Sequence, residues 1–151
     1  MPSASTVFVD TNVLLYAQDP RNPDKQALAA AWLAWCWRAQ AGRISSQVLH
    51  EWYVNLRRVA PRLPVAQARA LVRRYRSWHP LMVDGATVDR AWAIQDETSY
   101  SYWDCLMLAA AQEQGCRYFL TEDLQHQRQL GALTVVNPFL GSPSDLNLPL
   151  P

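Results

Sequence analysis

The chain is short of cysteine, of lysine and of long apolar runs, and each shortage closes off a class of protein. Its 151 residues include three cysteines, Cys36, Cys105 and Cys116, with neither CxxC nor zinc-ligand spacing. An odd, scattered set of thiols makes no disulfide framework and fits a reducing compartment, where cysteine packs as a small hydrophobe. No apolar stretch approaches the ~20 residues of a membrane helix. The start of the chain has no basic stretch leading into an apolar one, so no export signal is expected. A cytoplasmic protein that does not enter a membrane is the expectation. His50, His79 and His126 share no ligand spacing. "HEWYV" at His50–Val54 begins as a zinc-peptidase motif does, but Val54 stands where the second histidine belongs.

Acidic residues are missing between Glu51 and Asp84, although the net charge is only +1. That segment holds Arg57, Arg58, Arg62, Arg69, Arg73, Arg74 and Arg76, and every basic residue of the chain except Lys25 is arginine. The planar guanidinium suits two-pronged contacts with phosphate. Arg57, Arg58, Arg69, Arg73, Arg74 and Arg76 are therefore candidates for binding phosphate groups. The plainer alternative is a solvated helix face.

What is present is an ordinary globular composition, 50% hydrophobic and 18% charged, with enough chain for one domain and a real core. Short apolar runs alternate with amphipathic ones. Thr6–Val9 reads as a buried strand, and Val13–Ala17 as a short helix. After a polar turn at Asp19–Asn22 a second helix is predicted, with Asn22 as its cap and Pro23 in first position; Gly42 lies past its end. Trp32, Trp35 and Trp37 in that helix read as packing residues, not as a stacking platform for bases. Arg43–Ser46 reads as a second strand and Gln47–Ala60 as a helix closed by Pro61 and Pro64. Val65–Trp78 is a basic helix, Leu81–Val83 a third strand and Thr87–Glu97 a helix. Another helix runs from Tyr102 to Gly115, then a strand at Tyr118–Leu120, a short helix, and a fifth strand at Leu133–Val136. Strands separated by helices imply an α/β fold with a mostly parallel sheet covered on both faces. Residues 1–140 read as a single domain, and residues 141–151 as a mobile tail rich in proline and serine.

Four acids stand where this pattern puts the functional edge of a parallel sheet, beyond the carboxyl ends of its strands. Asp10 follows the first strand, inside "VFVDTNVLLYA", and Asp123 follows the fourth. Glu51 and Asp104 are read in the first turns of helices, where negative charge is favoured. Any one of them could be a cap or turn residue. Gathered together they would repel and raise one another's pKa, a penalty that a divalent cation removes. Oxygen donors favour Mg²⁺ or Mn²⁺. Such ions beside a phosphodiester activate water and neutralise the leaving oxygen. Asn12 and Thr121 are the polar neighbours placed to support Asp10 and Asp123, unless they serve only their own turns.

"VFVDTNVLLYA" (Val7–Ala17), "SSQVLHEW" (Ser45–Trp52), "YWDCLMLAAAQEQGCRYFLTEDL" (Tyr102–Leu124) and "VVNPF" (Val135–Phe139) together resemble the PIN-domain proteins. More narrowly they resemble the VapC toxins of bacterial type II toxin–antitoxin systems, over about Thr6 to Leu140. The resemblance implies a PIN-like three-layer sandwich with a mostly parallel five-stranded sheet between helices, usually as a homodimer. It also implies a metal-dependent endoribonuclease that cuts tRNA or rRNA, inhibits translation and is silenced by a VapB-type antitoxin. By position, Asp10, Glu51, Asp104 and Asp123 match the family's catalytic, metal-binding acids. Asn12 and Thr121 match the companions of the first and last. The competing expectation is a PIN-like module that binds RNA or a partner without cutting, but such a protein would be expected to lack one or more of the acids. Phosphatases of the haloacid dehalogenase class also follow a strand with an aspartate. They need a second aspartate where Asn12 stands, so Asp10 is not read as a nucleophile.

Overall fold

A computed structural model describes residues 5–149. A five-stranded sheet has the order β2-β1-β3-β5-β4, formed by β1 (Val7–Val9), β2 (Gly42–Arg43), β3 (Tyr118–Leu120), β4 (Gln129–Leu130) and β5 (Leu133–Val136). The first four in spatial order run parallel, and β4 pairs antiparallel with β5. Between them come α1 (Thr11–Tyr16), α2 (Pro23–Ala39), α3 (Ser46–Val59), α4 (Val65–Arg74), α5 (Gly85–Thr98) and α6 (Tyr102–Glu113). Every residue of β1 and β3 is buried, as expected of strands covered on both faces and for which no polar alternation is needed. Phe8 and Phe119, partners in register, stack with ring centroids 5.3 Å apart. None of the described helices is long and apolar enough to cross a membrane.

Six of the predicted helices are present, with ends shifted by a few residues, but the short helix expected after Asp123 is not formed. The basic helix stops at Arg74 and tightens into a 3₁₀ turn over Tyr75–Trp78. Asn22 does precede α2, yet its side chain makes no capping bond; its amide turns to Asp19 Oδ2 at 3.3 Å.

The strand count of five is right, but its membership differs. Leu81–Val83 is not a strand. Leu81 alone bridges to Ser45, because Pro80 supplies no amide and Asp84 already caps α5, receiving the Thr87 amide at 3.1 Å. The fifth strand is instead β4. It occupies part of the region expected to be a short helix and turns back onto β5 through Gly131-Ala132, with Gly131 at φ +61°. The predicted strand at Arg43–Ser46 begins one residue earlier and is cut short where α3 starts at Ser46.

Residues 141–149 of the tail expected to be mobile fold back on α2, and residues 150–151 lie outside the described residues. The indoles of Trp32 and Trp35 donate to the carbonyls of Gly141 and Pro149 at 2.9 and 3.0 Å, and Leu148 is buried. Trp32 and Trp35 are themselves buried, as packing residues should be. All three cysteines are free and buried. Burial pushes the Cys36 thiol up to about 12 and that of Cys116 to about 11, so neither is a nucleophile at neutral pH.

Candidate active site

Strand β1 ends at Val9, and its neighbour β3 ends in register at Leu120. The next residues, Asp10 and Thr121, therefore emerge side by side at the carboxyl edge of the sheet. Asp10 occupies the cap position of α1 but makes no side-chain capping bond. Its Oδ2 instead accepts from the Thr121 hydroxyl at 2.8 Å. That hydroxyl also accepts from the Asp123 amide at 3.0 Å, closing the turn that carries Asp123. The Asn12 amide then reaches Asp10 Oδ2, Thr121 Oγ1 and Asp123 Oδ2 at 3.3, 3.0 and 2.8 Å. One side chain thus gathers the first and last acids.

The other two acids come from the helices. Asp104 sits in the first turn of α6, where Ser101 caps the helix by accepting the Asp104 amide at 3.2 Å. Glu51 is not in a first turn, contrary to expectation. Helix α3 starts at Ser46, which puts Glu51 in the second turn and half-buried. What holds it is a pair of donors outside the sequence-based set. Thr11 Oγ1 donates to Glu51 Oε2 at 2.9 Å, and Gln47 Nε2 donates to Oε1 at 3.1 Å. The same Gln47 amide reaches the Trp103 carbonyl at 3.1 Å, tying α3 to the start of α6. The i, i+4 spacing of Gln47 and Glu51 on one helix was the available signal. For Thr11 there was none, because its contact spans 40 residues.

These placements have an electrostatic cost. Burial, with Asp123 and Asp104 adding repulsion against the relief given by the Thr121 hydroxyl, pushes the Asp10 carboxyl from 3.8 up to about 7. Burial also raises Asp104, with Asp123 and Glu51 as the repelling neighbours and the Ser101 hydroxyl working against them. The carboxylates therefore share one electrostatic field. Among the described residues no three acidic, histidine or cysteine side chains form a ready-made cage for a cation. Mg²⁺ needs no such cage, since it keeps several waters and is held by one or two carboxylates. An all-oxygen donor set around a buried carboxyl that holds its proton too tightly fits such an ion. Asn12 Oδ1, buried and unpartnered in the protein, is a further hard donor at the same place. Glu122, between Thr121 and Asp123, pairs with Lys25 at the start of α2, whose ammonium also lies 5.0 Å from the Tyr16 ring centre. That pair anchors the turn from outside.

The candidate arginines are all exposed and divide among several places. Arg69, Arg73 and Arg76 line a groove of about 350 Å³ that also touches Ser46 and His50. Arg57 donates to the Leu63 carbonyl at 3.2 Å, and Arg58 faces a separate groove with Arg21 and Arg62. Arg74 lies over Trp37, 4.7 Å from the ring centre.

A family model described as PIN domain matches residues 7–131. No curated protein matches the chain in sequence. Among solved structures, the chain is similar to a toxin–antitoxin complex from Klebsiella pneumoniae, with TM-score 0.56 and 22% identity over 89% of this chain and 98% of that one. It is similar also to VapC20 of Mycobacterium tuberculosis, a sarcin–ricin-loop-cleaving toxin, with TM-score 0.51 and 19% identity over 76% and 87%. A third is VapBC2 from Rickettsia felis, bound to a DNA fragment from its promoter, with TM-score 0.58 and 14% identity over 86% and 96%. At these identities the structures establish a shared fold.

Proposed function

Since the chain belongs to the PIN domain family, we propose that it is a divalent-metal-dependent endoribonuclease and the VapC-like toxin of a type II toxin–antitoxin pair. Its substrate would be tRNA or rRNA, and its partner a VapB-type antitoxin. The observation that carries this reading is Asp10: buried, uncommitted to capping, and crowded by two other acids at the end of β1. A structural role would be better served by an uncharged residue.

Mg²⁺ or Mn²⁺ would be held by Asp10 and Asp104, with Glu51 and Asp123 contributing through water or to a second ion. When bound, the ion lowers the pKa of a water and shields charge on the phosphate. The protein's own part is to hold oxygens in place. Thr121 and Asn12 fix the Asp10 and Asp123 carboxylates, Thr11 and Gln47 fix both oxygens of Glu51, and the N-terminal turn of α6 stabilises the charge of Asp104. The exposed arginines would contact the RNA backbone, adding affinity without sequence choice. A homodimer in the cytoplasm is the assembly we propose.

The test is cleavage of total bacterial RNA by the purified chain in Mn²⁺, Mg²⁺ or EDTA. Discrete, metal-dependent cuts are expected, and they should vanish in Asp10→Asn and Asp104→Asn without loss of fold. Equal cutting by wild type and both variants would remove these acids from the mechanism. RNA binding without any cutting would favour the non-cleaving module.

A further inference from the structure

Next to Glu51 lies a cavity of about 420 Å³ lined by Gln47, His50, Val83, Trp103 and Leu106. That volume is in the range of small-ligand sites, roughly 300–1,000 Å³. Ser46 and Glu51 complete its walls; the surface it exposes is mostly apolar, yet it opens beside the acids. Trp103 is 61% exposed, the most exposed aromatic side chain among the described residues. It is not loose. It immediately precedes Asp104, its carbonyl accepts from Gln47, and its ring stands edge-on to Tyr102 with centroids 5.4 Å apart. The Gln47 amide that positions the Glu51 carboxylate therefore also fixes the segment that carries this indole.

The occupant is narrowed by what adjoins the cavity. Ser46 and His50 are shared with the groove of Arg69, Arg73 and Arg76, which Tyr53 also lines. Arg69 is held there by the Tyr53 hydroxyl at 3.0 Å. An apolar slot walled by indole runs on into a cationic track. A ligand that fits both has a flat aromatic face attached to a chain of negative charge, and an unpaired nucleotide followed by further phosphates has that form. Bases inside a duplex cannot offer a face to the indole, whereas single-stranded and looped RNA is bound by stacking of this kind.

We propose that Trp103 stacks an unpaired base adjacent to the bond that is cut, and that the Arg69–Arg73–Arg76 groove carries the phosphates beyond it. This assignment rests on the nuclease reading above.

The experiment uses the full chain carrying Asp10→Asn, which binds without cutting, and a 12-nucleotide single-stranded RNA containing 2-aminopurine at successive positions. The same RNA annealed to its complement is the control. Binding of the single strand should quench the fluorophore at one position. Trp103→Leu, which keeps apolar area but removes the stacking face, should lose that quenching and raise Kd on the order of tenfold. Trp103→Phe should stay within about threefold of the parent. Duplex should bind more weakly, and its affinity should be the same in all three proteins. RNA bound equally well by parent and Trp103→Leu would overturn the assignment while leaving the nuclease reading intact. So would a Trp103→Leu change seen only in the sedimentation of the protein, since the indole would then belong to a protein interface. Failure to bind any RNA, with no cutting by the wild-type chain in Mn²⁺, would overturn the nuclease reading and this one with it.

Discussion

Glu51 and Trp52 are neighbours on α3, yet they serve regions with opposite energetics. Trp52 is buried edge-on against Tyr75, with centroids 4.8 Å apart, in a cluster that continues through Tyr75 to Trp37 and Trp78. Packing there is so close that a Cβ on Gly42 would stand 2.4 Å from the Trp78 ring. Nearly every contact in that cluster favours folding, the unpartnered Trp52 indole nitrogen being an exception. Around Glu51 the reverse holds: four carboxylates, of which only Asp123 is exposed, repel, and neutral donors such as Asn12, Thr11 and Gln47 hold them together. The difference teaches that the acidic edge is assembled at the expense of the metal-free fold, the cost that the cation proposed above would offset.

The sharpest break of this comparison is a pair of substitutions with opposite signs. Trp52→Ala should destabilise the chain by about 3–5 kcal/mol, as loss of a fully buried indole does, read as a shift in urea midpoint. Asp10→Asn should stabilise the metal-free chain by roughly 1–3 kcal/mol at pH 8, by removing a charge that burial disfavours. A destabilised Asp10→Asn would mean that the carboxylate is structural, and the contrast would collapse.

The pH dependence sharpens the same point with a smaller effect. A carboxyl whose folded pKa is raised binds its proton more tightly in the native state than in the unfolded one. Stability then falls as pH rises between the two values. For Asp10 that window runs from 3.8 to about 7, and Asp104 contributes with the same sign. In EDTA the wild-type chain should therefore be more stable at pH 5 than at pH 8. Asp10→Asn should flatten most of that slope, leaving the share due to Asp104. Urea titrations of both proteins at the two pH values check this, and an equal slope in both would discount the burial of Asp10.

Why one region was legible in the sequence and the other only in part follows from the range of the interactions. Asp10 and Asp123 announce themselves because a charge directly after an apolar strand is a local anomaly, and Asp104 because it opens a helix. The helices show as 3.6-residue periodicity bounded by Gly and Pro, again local. Thr11 was silent, since its partner lies 40 residues away, whereas Gln47 gave only the i, i+4 spacing from Glu51 as a signal. Helix α3 also starts earlier than the periodicity suggested, so Glu51 sits deeper in it. Strand β4 was missed because two residues carry no period. Leu81 was over-read, since three apolar residues look like a strand whether or not a partner lies alongside. Proline and serine in residues 141–149 suggested mobility, whereas two indole N–H groups on α2, invisible as partners in a linear pattern, hold that segment down.

The arginines give the finest division, because composition grouped what the structure separates. Arg74 belongs to the aromatic region by its place over Trp37, and Arg57 is tied to the Leu63 carbonyl. Arg69, Arg73 and Arg76 face the groove that leads from Glu51. If RNA follows that groove, Arg73→Ala or Arg76→Ala should each lower the slope of log Kd against log salt by about one or slightly less, the release of one counterion. Arg74→Ala should leave the slope unchanged while weakening the fold by about 0.5–1 kcal/mol through loss of its place over the ring. Binding of a single-stranded RNA to the Asp10→Asn chain across a salt series reads the slopes, and urea unfolding of the same variants reads the stability. An unchanged slope in the groove variants beside a reduced one in Arg74→Ala would move the phosphate path to the aromatic side and away from the acids. The three substitutions therefore test whether charge in this segment follows the helix as a whole or only the face turned to the site.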